Sequence, residues 1–560
     1  MTSVFRPNRR QFIGACAATF LAPDLLLAAE ASRLDTAYVN GRIWTGVPGA
    51  PLASALGVAG SRIAAIDAGP VKRLTDKRTR VVDLDGAFVI PGFIDNHTHF
   101  LNGAATLVPP DLRNVKTREE FARRVGEAAR QLPAGEWVQG GNWDAELWGG
   151  ELPTREWIDA VTPNTPVAVT RLDLHMWLLN SVALKLAGID RNTPDPEGGR
   201  IVRDAKGEPT GIVIDKAQDL VTRVMPPLTD AKRERMMRDA IAYGLRYGVT
   251  QAHLMGLDWE MHETVVSLRA KGETGMRFYS LVPLKDWERL LEIVRREGRG
   301  DDWVRWGGLK VMVDGSLGSR TALFHAPYDD APNTRGLIVT PEKDLREWMF
   351  QADKHGLHIA VHAIGDEAND LALDLMAEVE RINGPRDRRF RIEHAQHLSP
   401  QAIPRFAAQN VVPSVQPYHA IDDGRWAINR IGAQRLKGTY AFKSLLDAGA
   451  RVSFGSDWPV APINPLTGIA AAVLRQTIDG KNPDGWMPQE RVSVEQALTA
   501  YTITNAYVGF QDDRLGRLVA GNLADFVVLD SDLLSMDPQK ITDARVLRTV
   551  VDGKERFTAS

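Results

Sequence analysis

From position 35 onward, short apolar runs alternate with glycine turns. The runs 36–40, 42–45, 55–58, 62–66 and 81–83 read as strands, and the pattern returns near the far end in 524–530 and 546–551. There Asp552-Gly553-Lys554 supplies a hairpin-type turn. Strands at both ends of a long middle predict one small β domain assembled from 32–90 and 515–560. The middle, 91–514, has another rhythm. Strand candidates ending at His99 and in 249–254, 278–282, 308–314, 358–362, 390–394, 411–415 and 452–457 alternate with amphipathic stretches. Helices are predicted over 230–247, 287–296, 345–355, 366–382 and 442–448. In 366–382, Leu371, Leu375, Met376 and Val379 recur at three- and four-residue steps. Eight strand candidates favour a closed (β/α)8 barrel over an open sheet. One stretch, about 104–229, breaks the alternation and is expected to be an insertion. It is rich in Pro, Gly and Trp and holds Trp137, Trp143, Trp148, Trp157 and Trp177, which read either as core or as a lid over an apolar substrate.

Composition narrows the class. The 560 residues are 44% hydrophobic and 25% charged, ordinary for a globular chain, and 68 basic against 71 acidic residues leave no basic excess for nucleic acid. The N-terminus carries Arg9-Arg10-Gln11-Phe12-Ile13, then an apolar run over 13–29 interrupted by Thr19, Pro23 and Asp24. That run is too short and broken to be a stable membrane anchor. With the small-x-small site Ala29-Glu30-Ala31 it resembles a twin-arginine export signal over 1–31, which implies passage through the twin-arginine machinery and a periplasmic destination for the folded protein. A frayed amphipathic end is the plainer alternative, and Ile13-Gly14-Ala15-Cys16 loosely fits a lipidation box. Cys16 is the only cysteine, so a chain cut after Ala31 has no disulfide, no thiolate-bound zinc and no thiol nucleophile.

In a parallel barrel, side chains at the C-terminal strand ends converge on one mouth. Those positions hold His97 and His99 on the first strand, Lys310 on the fourth, His362 on the fifth, His394 on the sixth and Asp457 on the eighth. His97 and His99, two apart on an extended segment, project to the same side. Four imidazoles, a lysine and a carboxylate in one pocket suit a borderline divalent ion such as zinc. Lys310 lies in an otherwise apolar run, where a lone lysine needs a reason; the plainer one is pairing with Asp314 or another carboxylate.

The segment Val89-Ile90-Pro91-Gly92-Phe93-Ile94-Asp95-Asn96-His97-Thr98-His99 resembles the opening motif of the amidohydrolase superfamily. Val361-His362-Ala363-Ile364-Gly365-Asp366, Ile392-Glu393-His394-Ala395-Gln396-His397 and Phe454-Gly455-Ser456-Asp457 are similar to its later motifs, in order. The tail Asp314-Gly315-Ser316-Leu317-Gly318-Ser319-Arg320-Thr321-Ala322, with Asn180-Ser181-Val182-Ala183-Leu184, narrows the likeness to the YtcJ-like (amidohydrolase 3) branch. The resemblance implies a distorted (β/α)8 barrel flanked by a β-sandwich, and one or two metal ions. His97, His99 and Asp457 would hold the first ion and His362 and His394 the second, with a carbamylated Lys310 bridging them. Asp173 and His175 resemble a loop that reaches the substrate, and Trp143, Arg320 and His397 are further candidates for substrate contact. Relatives often read His-Asp where this chain has His253-Leu254, which weakens a role for His253.

These readings converge on hydrolysis of an amide-type C–N bond, N-acyl or N-formyl, in a small molecule by a metal-activated hydroxide, with Asp457 moving the proton. A deaminase or lactonase at the same site is the alternative within enzymes, and a non-catalytic periplasmic binding protein the alternative outside them. A homodimer is compatible with the family.

Overall fold

The computed structural model describes residues 33–133 and 135–559, so the export-signal reading of 1–31 lies outside the described residues. Eight parallel strands form the central sheet in chain order: β1 (Phe93–Thr98), β2 (Val249–Met255), β3 (Arg277–Pro283), β4 (Val304–Met312), β5 (His358–Ala363), β6 (Arg391–His394), β7 (Val412–Val415) and β8 (Ser453–Phe454). Every residue of β1, β2, β3 and β5 is buried, because helices cover the outside and side chains fill the inside. Register sets the mouth: Met312 on β4 lies opposite His362 on β5, and Ala363 opposite His394 on β6.

The sheet closes through its own functional residues. Asp457 N donates to His97 O and His99 N to Trp458 O, both at 2.8 Å, joining the end of β8 to β1. Gly455 permits this approach, since a Cβ there would sit 2.8 Å from His97 N. The outer helices form where the 3.6-residue period placed them. Asp230–Arg246 starts on a Thr229 cap whose side chain accepts from Lys232 N. Asp366–Asn383 buries Ala372, Leu375, Met376 and Val379 and stops at Gly384.

The chain ends form two sheets. One orders Arg62–Ile66, Leu56–Ala59, Thr36–Val39 and Arg80–Asp83; the other orders Arg42–Ile43, Phe88–Pro91, Phe526–Leu529, Val546–Val551 and Lys554–Thr558. Between them lie Tyr38, Leu56, Val58, Val89, Phe526 and Val528. The alternate residues Phe88, Ile90, Val527 and Leu529 point the other way, into the barrel's core. The second sheet is therefore a layer against the barrel, and the buried Arg277 pins it there through Asp525 (2.6 Å) and Asp552 (3.0 Å).

The insertion has a sheet of its own, ordered Gly199–Arg203, Pro209–Asp215, Met176–Leu179, Val167–Arg171 and Val138–Trp143. Phe121, Trp143, Trp157, Val169 and Ile212 pack on one face, and Trp137, Ala168, Leu179 and Val213 on the other. All five tryptophans belong to, or pack against, these two clusters. None lines the cavity at the barrel mouth, so they build the insertion instead of presenting a lid surface to substrate. No helix among the described residues is long and apolar enough to cross a membrane.

Candidate metal centre

His97 and His99 leave β1 on the same side and meet Asp457, which a positive φ of 60° at the end of β8 turns inward. Asp457 Oδ1 lies 3.4 Å from His97 Nε2 and 3.3 Å from His99 Nε2. Donors held about 2.0–2.1 Å from one ion at tetrahedral angles stand about 3.3–3.4 Å apart, so this spacing matches a coordination edge. His97 Nε2 and Asp457 Oδ1 are buried without a hydrogen-bond partner. Two acceptor-type atoms in that condition are costly unless a cation fills the gap between them. These three residues fit a divalent ion.

A second set of contacts aims the first. His97 Nδ1 donates to Glu393 Oε2 at 2.6 Å, which fixes the tautomer and leaves Nε2 as the lone-pair donor. Glu393 Oε2 also accepts from Ser414 Oγ (2.6 Å) and an Arg391 guanidinium nitrogen (3.0 Å), all fully buried. His394 Nδ1 donates to Gln416 Oε1 at 2.7 Å, and His362 Nε2 to Gly315 O at 3.1 Å. The rings of His362 and His394 stand 4.5 Å apart and those of His97 and His394 4.9 Å, around one centre. Burial drives the pKa of His97, His362 and His394 well below the ordinary imidazole value, keeping them neutral and able to donate lone pairs. Burial pushes the Asp457 carboxyl up, but the His97 and His99 rings outweigh it and hold the group well below the usual carboxylate range.

Lys310 projects into the same pocket and is almost fully buried. Burial lowers its amine to about 8, with Glu393 and Asp457 pulling partly the other way. Pairing with Asp314 does not explain it. The Asp314 carboxylate is occupied by three backbone donors, Leu323 N (2.8 Å), Ile364 N (3.0 Å) and Gly365 N (2.8 Å), which tie the loop after β4 to the end of β5.

His99, Lys310, His362, His394 and Asp457 line a cavity of about 630 Å³, walled on one side by residues 171–175 and Asp215 of the insertion. His175 Nδ1 donates to Asp215 Oδ1 at 2.5 Å. Burial opposes its protonation, but the Asp215 charge and hydrogen bond prevail and raise it to about 9. Asp173 also faces the cavity, with Oδ2 accepting from Arg171 (2.6 Å) and Ser316 Oγ (2.7 Å).

Three expected substrate contacts do not reach the cavity. Trp143 is fully buried in the insertion, its Nε1 donating to Val169 O at 3.0 Å. A left-handed backbone at Arg320 (φ 57°) sends its guanidinium outward to Asp330, at 2.8 Å. His397 is buried behind the wall, its Nδ1 3.0 Å or less from Thr439 Oγ1 (2.9 Å). His253 lies inside the barrel beneath the centre, 3.0 Å from an Arg391 nitrogen. Sequence reasoning gave no role to Glu393, Asp215 or Gln416, and it missed His419. That ring follows β7 on the helix Pro417–Asp423 and lines the cavity. The available signal was a strand end running into Gln416-Pro417-Tyr418-His419, with proline marking a helix start beside the mouth.

A family model described as "Amidohydrolase family" matches residues 80–557. The chain is 41% identical to the protein LONG AFTER FAR-RED 3 of Arabidopsis thaliana over 538 residues, covering 93% of this chain and 91% of that one. It is 33% identical to the putative amidohydrolase YtcJ of Bacillus subtilis (strain 168) over 498 residues, covering 87% and 93%. It is 29% identical to the N-substituted formamide deformylase of Arthrobacter pascens over 542 residues, covering 93% and 98%. Among solved structures it is similar to an uncharacterized metal-dependent hydrolase from Pyrococcus furiosus, with a TM-score of 0.71 and 31% identity over 89% of this chain and all of that one. The eight-stranded barrel, the His and Asp cluster at its mouth and these likenesses agree: the chain belongs to the amidohydrolase family of metal-dependent hydrolases.

Proposed function

We propose that the protein hydrolyses an amide-type C–N bond, N-acyl or N-formyl, in a small molecule, using zinc as its divalent ion. The observation that carries this reading is the ready-spaced trio His97, His99 and Asp457, of which His99 and Asp457 line a cavity large enough for a whole small molecule. The 29% identity to an enzyme named for deformylating N-substituted formamides supports the choice of bond. A bound divalent ion supplies two things here: a water of lowered pKa and a Lewis acid for the substrate carbonyl. The chain's own residues do the rest. Glu393 holds the His97 ring in its donor tautomer. The Asp457 carboxylate, ionised at neutral pH, accepts the proton of the attacking water and returns it to the departing nitrogen. His175, cationic through Asp215, faces the cavity and binds an anionic end of the substrate, such as the carboxylate of an N-acyl amino acid. With an amine lowered to about 8, Lys310 has a sizeable neutral fraction near neutral pH, which carbamylation requires. The Arg9-Arg10 segment supports action in the periplasm after export as a folded protein.

The test is elemental analysis of purified protein, then a screen of N-acyl amino acids, N-formyl amines, lactones and aminated heterocycles. Release of a free amine from an amide is the expected result. Turnover confined to lactones or aminated heterocycles would replace the C–N assignment by the corresponding chemistry. A protein that holds no metal and turns over nothing on metal addition would be a binder.

A further inference from the structure

The mouth of the barrel is polar on one side and apolar on the other. The chain at the ends of β5, β6, β8 and β1 brings His362, His394, Asp457, His97 and His99. The ends of β2 and β3 bring no imidazole and no carboxylate to the cavity. β2 runs out into Gly256 and Leu257, and β3 into Leu284. These strands and β4 are neighbours in the sheet, with Met255 opposite Leu281 and Pro283 opposite Lys310. Leu257, Leu284 and, on β4, Met312 therefore form one apolar wall of the cavity that also holds the metal centre. Gly256 sets its edge: a Cβ there would stand 2.4 Å from Leu281 O, so the chain leaving β2 passes close over β3 and delivers Leu257 to the mouth.

Two further elements extend this wall. The helix Glu342–Lys354 carries Trp348 to the cavity, half-buried against the barrel's outer core. The insertion's turn presents Leu174, whose φ of 62° lies in the left-handed region that a leucine rarely adopts. Hydrogen bonds hold it there: Leu174 N donates to Arg171 O at 3.0 Å, and Leu174 O accepts from Gln218 Nε2 at 3.1 Å. Glycine or asparagine would take that backbone with less strain, but neither would add an apolar side chain to the wall. Leu257 is left 56% exposed, and Leu174, Met312 and Trp348 are only half-buried. Apolar side chains kept wet around one concavity gain free energy when an apolar group covers them. A formyl or acetyl group held at the metal centre would leave them wet.

We propose that the β2–β4 side of the mouth is an apolar subsite, which takes an alkyl or aryl group of about six carbons or more carried by the substrate. The inference rests on the amide reading of the same cavity and narrows it: the substrate is an amide with a long apolar substituent, on its acyl or its amine side.

The test measures kcat/KM of the metal-loaded enzyme in two series: N-acetyl-, N-hexanoyl- and N-decanoylglycine, and N-methyl-, N-hexyl- and N-decylformamide. Calorimetry with decanoate and acetate reads the subsite without any bond being cleaved. In at least one series kcat/KM is expected to rise roughly 2- to 4-fold per methylene until the wall is covered, and the series that rises tells which side of the amide bears the apolar group. Decanoate is expected to bind roughly 30-fold or more tightly than acetate. Leu257→Asp sets a charge in the wall at an exposed position, where folding is not at risk. It is expected to lower the long-to-short ratio, in kcat/KM and in affinity, roughly tenfold or more. Val81→Asp, the same change at an exposed valine outside the cavity, is expected to leave both ratios as they are. Amides hydrolysed without chain-length dependence in either series overturn the subsite, and so does a dependence that Leu257→Asp leaves untouched. Decanoate selectivity that Leu257→Asp removes, with no amide hydrolysed, keeps the subsite and overturns the bond assignment instead. No amide hydrolysed and decanoate bound no better than acetate overturn both.

Discussion

The barrel's strand ends and the turn of the inserted sheet face each other across one cavity, and they are built on opposite plans. On the barrel side, neutral imidazoles surround an ionised carboxylate, and each ring is aimed by one buried acceptor: Glu393 for His97, Gln416 for His394 and Gly315 O for His362. On the insertion side, charges are paired with charges: His175 with Asp215, Arg171 with Asp173, and Asp144 with Arg425, which reaches across from the barrel, at 2.9 Å. A neutral ring with a free lone pair is what an ion needs, and a charge pair with one face open is what an ionic substrate group needs. The difference assigns the chemistry to the barrel and the choice of substrate to the insertion. Each substitution below tests that division.

The largest effect is expected at Asp457, which closes on both His97 and His99. Asp457→Asn removes the anion from the trio and the proton carrier from the reaction, and kcat/KM is expected to fall by roughly 10⁴-fold or more. Metal analysis should show reduced retention beside it. Dialysis of wild type against a chelator should abolish turnover, with recovery on adding Zn²⁺. Asp457→Asn activity within tenfold of wild type would break the barrel half of the comparison.

Next is Glu393→Gln. The amide keeps its size but gives His97 Nδ1–H a weaker, neutral acceptor and leaves Arg391 with a buried, uncompensated charge. Metal affinity is expected to drop by about 10–100-fold, as is typical when the partner of a ligating histidine is lost. A raised metal requirement with near-normal kcat at saturating Zn²⁺ would place Glu393 as an aiming residue. Unchanged affinity would sink that role.

How much of this was legible before the fold was known follows from the same division. β1 to β7, apart from Arg305, Trp306 and Met312 on β4, are runs buried on both faces, so their apolar stretches stood out, and His97, His99, Lys310, His362 and His394 follow from strand ends and parity. β8 is only Ser453–Phe454, shorter than the strand expected over 452–457, but the chain beyond it pairs with β1 and so carries Asp457 to the mouth all the same. The insertion was not legible as a sheet. Gly140 and Gly141, both at positive φ, interrupt one strand, and Gly199–Arg203 is mostly polar and only partly buried. His419 escaped because it sits on a helical turn past a strand, where strand parity says nothing. Arg320 misled because closeness in sequence to the loop after β4 does not fix direction; one residue at φ 57° sends its side chain outward.

On the insertion side the leading test is pH. His175 has a folded-state value raised to about 9 by Asp215, so it is cationic below that and loses its charge as pH rises through it. For an N-acyl amino acid, KM is expected to climb roughly tenfold above pH 9 while kcat changes little, the worth of a charge-assisted hydrogen bond of about 1.5 kcal/mol. Asp215→Asn removes what raised the value and leaves burial, which lowers it. The high-KM regime should then already hold at pH 7.5, with metal content intact. A neutral N-formyl amine should show neither effect. If acidic and neutral substrates respond alike, His175 is not the anion contact.

The smallest effect belongs to Trp143, and it is the sharpest check on where the insertion's role ends. Trp143→Phe removes the Nε1 donor to Val169 O inside the apolar cluster and leaves some space where the larger ring stood. Losing the hydrogen bond costs about 1 kcal/mol, and the smaller ring adds a packing loss of similar size. Denaturant unfolding should therefore shift by roughly 1–3 kcal/mol. Because the indole faces its own core and not the cavity, kcat and KM should stay as they are. A changed KM for substrates with large apolar groups, without the stability loss, would return Trp143 to the substrate wall, and the insertion's aromatic core would then have to be redrawn as part of the site.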